Sequence, residues 1–121
     1  MKIVIKTSVP SQKNGKQIFI NKRTGKRFIT SSQNVKNWQE QALWQLKGQT
    51  PIVGYPVALT MIFKYDSKHR HDLDNSASTV LDILVKAGLL EDDNTSYVET
   101  LTLQYGGVDK DNAGVEVYVD N

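Results

Sequence analysis

The chain has 121 residues, no cysteine, 39% hydrophobic residues and a formal net charge of +2. That length supports one folded domain, residues 1–121, with its own core, and the lack of cysteine excludes a disulfide framework, a thiolate metal centre and a cysteine nucleophile. No apolar run approaches the ~20 residues of a membrane span and the N-terminus lacks the apolar stretch of a secretion signal, so a cytoplasmic protein with no membrane partner is expected.

The net charge conceals a division. Residues 1–50 carry ten Lys and Arg against the single acid Glu40, whereas residues 51–121 carry five against twelve acids. The two halves could simply attract one another. The split also suits a basic arm that holds a polyanion beside an acidic site.

In chain order, Lys2 to Val9 alternates around Ile3 and Ile5 as a strand does, and Pro10 to Lys16 is a loop punctuated by Pro10 and Gly15. Gln17–Asn21 and Lys26–Ile29 read as two short strands joined through Arg23-Thr24-Gly25. Thr30, Ser31 and Ser32 offer helix caps, after which Val35, Trp38, Ala42, Leu43 and Leu46 recur at helical spacing up to Gly48. Trp38 lies on that stripe and is assigned to the core. Trp44 lies off it, exposed or at an interface.

Pro56 to Tyr65 alternates Val57, Leu59, Met61, Phe63 and Tyr65, a clear strand. Asp74 or Asn75 can cap a second helix, roughly Ser76 to Ala87, that turns Val80, Leu81, Leu84 and Ala87 inward and stops at Gly88. Val98 to Tyr105 and Gly114 to Val119 are the remaining strands, with Asp109–Gly114 read as a hairpin turn. The expected class is α+β, a mixed sheet with two principal helices.

The chemistry concentrates in Lys68-His69-Arg70-His71-Asp72-Leu73-Asp74-Asn75, answered by Glu91-Asp92-Asp93. Gathered carboxylates repel unless a cation neutralises them, and hard oxygen donors suit Mg²⁺ or Mn²⁺. If extended, Asp72 and Asp74 would share one side of the chain, and the stop at Gly88 would let Asp93 return to the same end of the sheet. Three such carboxylates could hold one or two ions that activate water and orient a scissile phosphate. The plainer reading makes Asp74 a helix cap and Glu91-Asp92-Asp93 a solvated turn. An EF-hand loop from Asp72 fails, because Ala77 and Ile83 fall where Gly and Glu are needed. His69 and His71, between cations, are read as facing phosphate or solvent.

The order of cations, Asp72-x-Asp74-Asn75, a helix with Asp82, then Asp92-Asp93 before a strand, resembles the RusA-type Holliday junction resolvases. The likeness runs from the Pro10-Ser11-x-x-Asn14 loop through the Ser31…Trp38 helix to the last strand. It implies a RusA-like α+β homodimer that requires Mg²⁺ (or Mn²⁺), no small-molecule cofactor, and a bacterial or phage-infected cytoplasm. The implied activity is a crossover junction endodeoxyribonuclease that nicks four-way DNA junctions symmetrically in recombination and repair.

By that resemblance Asp72, Asp74 and Asp93 take the catalytic, metal-binding positions, with Asp82, Ser78 and Asp92 behind them. Lys13, Asn14, Lys16, Arg23, Lys26, Arg27, Lys68, His69 and Arg70 are the residues expected to meet DNA. One departure stands out: Ser78 occupies the place where the family commonly carries a lysine, within D-x-D-N-x-x-K. Either Lys68 or Arg70 supplies that charge, or the chain is slow, or it binds junctions without cutting them. A nuclease for other branched or flap DNA is a third reading.

Overall fold

The strand Val57–Tyr65 organises the molecule. Its apolar positions Val57, Leu59, Met61, Phe63 and Tyr65 are all buried, while the intervening residues are half-exposed on the opposite face. The computed structural model describes residues 1–10, 16–20, 27–31 and 33–121. Its elements are β1 (Lys2–Ile5), β2 (Lys16–Ile20), β3 (Arg27–Ser31), α1 (Gln33–Leu46), β4 (Val57–Tyr65), α2 (Leu73–Lys86), β5 (Val98–Val108) and β6 (Gly114–Asp120).

Four strands form one sheet in the order β1-β6-β4-β5, and β2 with β3 forms a separate antiparallel pair. β6 is antiparallel to both β1 and β4, whereas β5 runs parallel to β4. The sheet is therefore mixed, as the alternation and helix spacing predict. A parallel neighbour cannot be reached by a tight turn, so α2 is the crossover that returns the chain to the start of β5.

The α1 stripe buries Val35, Trp38, Ala42 and Leu46 against the sheet, and Trp44 stands 75% exposed. A two-way clasp fixes this helix to the end of β1: the Lys6 amide donates to Gln45 Oε1 at 2.6 Å, and Gln45 Nε2 donates to the Lys6 carbonyl at 3.1 Å.

The second helix starts at Leu73, three residues earlier than the sequence suggests, and buries Ser76, Ala77, Thr79, Val80, Ile83 and Leu84. It ends as expected. Gly88 adopts φ +78° and donates to the Val85 carbonyl at 3.0 Å, while Leu89 donates to the Leu84 carbonyl, also at 3.0 Å. This crossed pair satisfies carbonyls that the last turn would otherwise leave open, and only glycine takes the left-handed step without a steric penalty.

One expectation fails. Residues 109–114 are not a hairpin, because β4 lies between β5 and β6. They form an arch over the end of β4, anchored where the Asp109 amide donates to the Tyr65 carbonyl at 2.9 Å. Hydrogen bonds from the Asn112 side chain, and from the backbone of Asn112 and Asp111, hold the Asp109 carboxyl below its usual range. Among the described residues, no helix is long and apolar enough to cross a membrane.

Gly114, where the arch enters β6, has φ +153°, and a Cβ there would strike the Ile5 carbonyl of β1. At Gly48, with φ +80°, a Cβ would meet nothing within 4 Å. Gly114→Ala is expected to cost more than ~2 kcal/mol and Gly48→Ala ~1 kcal/mol, a difference measurable by denaturant unfolding.

Candidate functional site

Asp72 occupies the cap position of α2 with extended backbone (φ −103°, ψ 121°), and its carbonyl accepts the Ser76 amide at 3.1 Å. An aspartate there ordinarily turns its carboxylate onto the free amides of the first turn. This one makes no such bond. Its Oδ2 instead receives Asn75 Nδ2 at 3.4 Å, and its Oδ1 lies 3.6 Å from Arg70 Nε. The ion pair is solvated, with the Arg70 side chain 91% exposed, so it contributes little to stability. The carboxylate remains oriented toward the cationic turn and open to a ligand.

Asp74 lies inside the first turn of α2, where its charge complements the helix dipole. The helical start overturns the expectation that Asp72 and Asp74 share one side as an extended pair. Residues two apart on a helix are separated by about 200° of rotation, so alternation no longer aligns them.

Beneath Asp72 the site is braced by Tyr65, Ser76 and His71, whose contacts with one another no local pattern marked. Tyr65, the last residue of β4, is 1% exposed, and its hydroxyl is 2.8 Å from Ser76 Oγ in the first turn of α2. His71 stacks on the Tyr65 ring with centroids 3.8 Å apart and planes 6° from parallel. His71 is thus packed onto the core edge rather than turned to solvent, whereas His69 is exposed. Burial raises the Tyr65 phenol above its ordinary value, the Ser76 hydrogen bond opposes this, and the charges of Tyr105 and Asp72 add to the rise. A buried tyrosine at the end of β4 was visible in the alternation; its polar partner was not.

The second acidic group lies elsewhere. Asp92 and Asp93 follow the C-terminal end of α2, and the Asn94–Tyr97 turn leads into β5 beside the first residue of β4, where the Val57 amide donates to the Tyr97 carbonyl at 2.9 Å. Asp72 and Asp74 stand at the other end of the same helix. At 1.5 Å per residue the helix Leu73–Lys86 is roughly 20 Å long, and the two groups lie at or beyond its opposite ends. The expectation that Asp93 returns to the end of the sheet that carries Asp72 is therefore corrected: a parallel crossover takes it to the opposite end.

Among the described residues, no three His, Asp or Glu side chains gather closely enough to hold a metal ion. A divalent ion at Asp72 and Asp74 would draw on two carboxylates of the chain and fill its remaining positions with water or phosphate oxygens. The Asp93 amide donates to Asp92 Oδ1 at 2.7 Å, and Asn94 Nδ2 donates to Asp92 Oδ2 at 3.1 Å, so Asp92 shapes its own turn while Asp93 is exposed. Asp82 and Ser78 lie on the exposed surface of α2.

Of the residues expected to meet DNA, Lys68, His69 and Arg70 lie together and exposed on the β4–α2 turn. Lys16 and Arg27 are strand positions at opposite ends of the β2–β3 pairing, opposite Ser31 and Ile20. Lys13, Asn14, Arg23 and Lys26 fall outside the described residues. A polar cleft of about 370 Å³ adjoins the site, lined by Ser8, Asn34, Asn37, Gln41, Asp66 and His71 among others.

Tyr65→Phe removes the hydroxyl that meets Ser76 and is expected to cost about 1 kcal/mol at neutral pH. Folding holds the Tyr65 proton more tightly than the unfolded chain does. Its contribution is complete below the ordinary value of 10.0 and is lost as pH climbs through the raised one. Chemical denaturation across alkaline pH should therefore give a shallower decline for Tyr65→Phe than for the parent chain.

No family model matches the chain. It is similar to a crossover junction endodeoxyribonuclease RusA of Aquifex aeolicus (strain VF5), with 27% identity over 78 residues. The match covers 63% of this chain and 60% of that relative, so the likeness spans less than two thirds of either. It supports a RusA-like assignment at a distance, and the mixed four-stranded sheet with two helices is consistent with that fold.

Proposed function

We propose that this RusA-like chain is a structure-selective endodeoxyribonuclease that resolves four-way DNA junctions by hydrolysing one phosphodiester in each of two opposed strands. The observation that carries this reading is the Asp72 carboxylate. It sits at a helix start yet is withheld from the helix amides, beside exposed Lys68 and Arg70 that would attract a phosphate backbone. A carboxylate kept off its ordinary structural partner and placed among cations is suited to chemistry on an anion.

Hydrolysis adds a water oxygen to phosphorus and releases the 3′ oxygen, leaving a 5′ phosphate and a 3′ hydroxyl that a ligase can rejoin. Divalent-metal dependence on Mg²⁺ or Mn²⁺ belongs to the proposal, since carboxylates beside a phosphodiester repel it unless a cation intervenes. The protein's own contributions are distinct. Lys68 and Arg70 draw the backbone in, Asp72 and Asp74 present oxygen donors, and Tyr65 with Ser76 and His71 fixes the segment that carries them. The polar cleft beside His71 offers hydrogen-bonding walls to a strand leaving the site.

Ser78 supports a second reading, a junction-binding protein with weak or absent cleavage. It is exposed on α2, and the only basic residue of that helix is Lys86 in the last turn, far from Asp72. No cation on the helix can stabilise charge building on phosphorus, so the task would fall to Lys68 or Arg70.

Asp72→Asn is expected to reduce nicking of a synthetic four-way junction in Mg²⁺ by more than ~100-fold, while binding is kept or tightened because repulsion of phosphate is relieved. Parent-level nicking by this variant would remove Asp72 from the chemistry. Ser78→Lys is expected to raise the single-turnover rate. A parent chain that binds the junction and never nicks it, with Mg²⁺ or Mn²⁺, would favour the binding-only reading.

A further inference from the structure

The cleft beside His71 contains a donor that the fold does not use. Trp38 lines it while only 4% exposed, and its buried indole N–H has no hydrogen-bond partner among the described residues. Buried donors are nearly always paired, and one left open lacks the bond that would offset its removal from water. Its neighbours on α1 are open as well. Asn34, Asn37 and Gln41 recur on the same face of the helix as Trp38 and line the same cleft. Gln33 Nε2 donates to Asn37 Oδ1 at 2.9 Å, which leaves the Asn37 amino group as a donor, and the amides of Asn34 and Gln41 are uncommitted among the described residues.

The walls are set before any ligand arrives. The Asp66 amide donates to Ser8 Oγ at 3.3 Å, tying the segment after β1 to the end of β4. His71 lies on the Tyr65 ring, so one face of the imidazole is taken and the cleft meets the remainder.

This lining discriminates between the parts of a nucleotide. Among the described residues it includes no Lys or Arg and a single carboxylate, Asp66, so a phosphate is disfavoured inside. Lys68 and Arg70 stand on the turn between Asp66 and Asp72, where a phosphate is attracted. Amides and hydroxyls both donate and accept, as the edge of a nucleobase does, and a ring offers a surface for stacking. At about 370 Å³ the space is near the lower limit of the roughly 300–1,000 Å³ of small-molecule sites, room for one base and not for a pair. His71 directly precedes Asp72, so a strand with its phosphate at Asp72 has a neighbouring base at the mouth.

We infer that the cleft takes up one unstacked nucleobase of the bound DNA strand, its face on His71 and its edge bonded by Gln41, Asn37 and the Trp38 indole N–H. The inference rests on the nuclease reading for the identity of the ligand. Drawing a base out of an intact duplex breaks its pairing and stacking, whereas a base at a branch point is released with less loss. The cleft thus favours branched over linear DNA through the base it admits, separately from any contact to phosphate.

The test is a binding cycle with the whole chain, by fluorescence anisotropy, with Ca²⁺ replacing Mg²⁺ so that strands stay uncut. The substrates are a four-way junction, the same junction with one abasic residue moved through the positions around the branch point, and linear duplex. Asn37→Ala with Gln41→Ala removes two exposed side chains and should leave the circular dichroism unchanged. This variant is expected to bind the intact junction about 10-fold more weakly than the parent does, and linear duplex equally well. At one abasic position its affinity should equal the parent's, because the base and its pocket are then both missing and their effects do not add. Trp38→Phe, which keeps a ring and removes the N–H, should show the same position-dependent loss. A loss of equal size on every abasic junction, or no loss on any, would overturn the pocket while leaving the nuclease reading in place. A parent chain that binds no four-way junction would overturn both.

Discussion

The parallel pairing of β4 with β5 is the constraint from which the rest follows. Two parallel neighbours must be joined by a chain that travels back the full length of the first strand, and here α2 does so. Whatever stands at the start of that helix is thereby separated from whatever follows its end. Asp72 and Asp74 are at one pole of the sheet, and Asp92 and Asp93 are at the other. Loop adjustments cannot close a gap set by a 14-residue helix that is packed along its length through Val80, Ile83 and Leu84.

The same pairing explains the uncovered edge. Helices lie over the inner face of β4, where the five alternating apolar side chains are buried, and the covering thins over β5. Leu101 and Tyr105 of β5 are 40% and 56% exposed, although their β4 partners Leu59 and Phe63 are fully buried. The edge position of β5 and the divided carboxylates derive from one topological choice.

Much of this was legible in the residues, for identifiable reasons. β4 was clear because its alternation is strict over nine positions, and α1 because Val35, Trp38, Ala42 and Leu46 keep helical spacing. Gly88 marked the end of α2 because only a left-handed residue closes that turn cheaply. The relation of Asp72 to Asp74 was misread because alternation presumes extended chain, and the helix begins at Leu73. The position of Asp93 was misjudged although a signal existed: strand, helix of about 14 residues, strand is the pattern of a parallel crossover, which sends the second acidic group to the far end. Nothing local distinguished β5 as an edge, since Leu101, Leu103 and Tyr105 alternate as a central strand would. The Tyr65–Ser76 contact joins residues on different elements and lay beyond any periodicity.

The central claim is that the parallel crossover keeps Asp72 and Asp74 apart from Asp93 in the folded chain. A crystal structure of the chain addresses this most directly. The account predicts Asp72 and Asp93 of the same chain beyond opposite ends of the helix Leu73–Lys86, which is itself roughly 20 Å long. Both carboxylates at one end of that helix would contradict it.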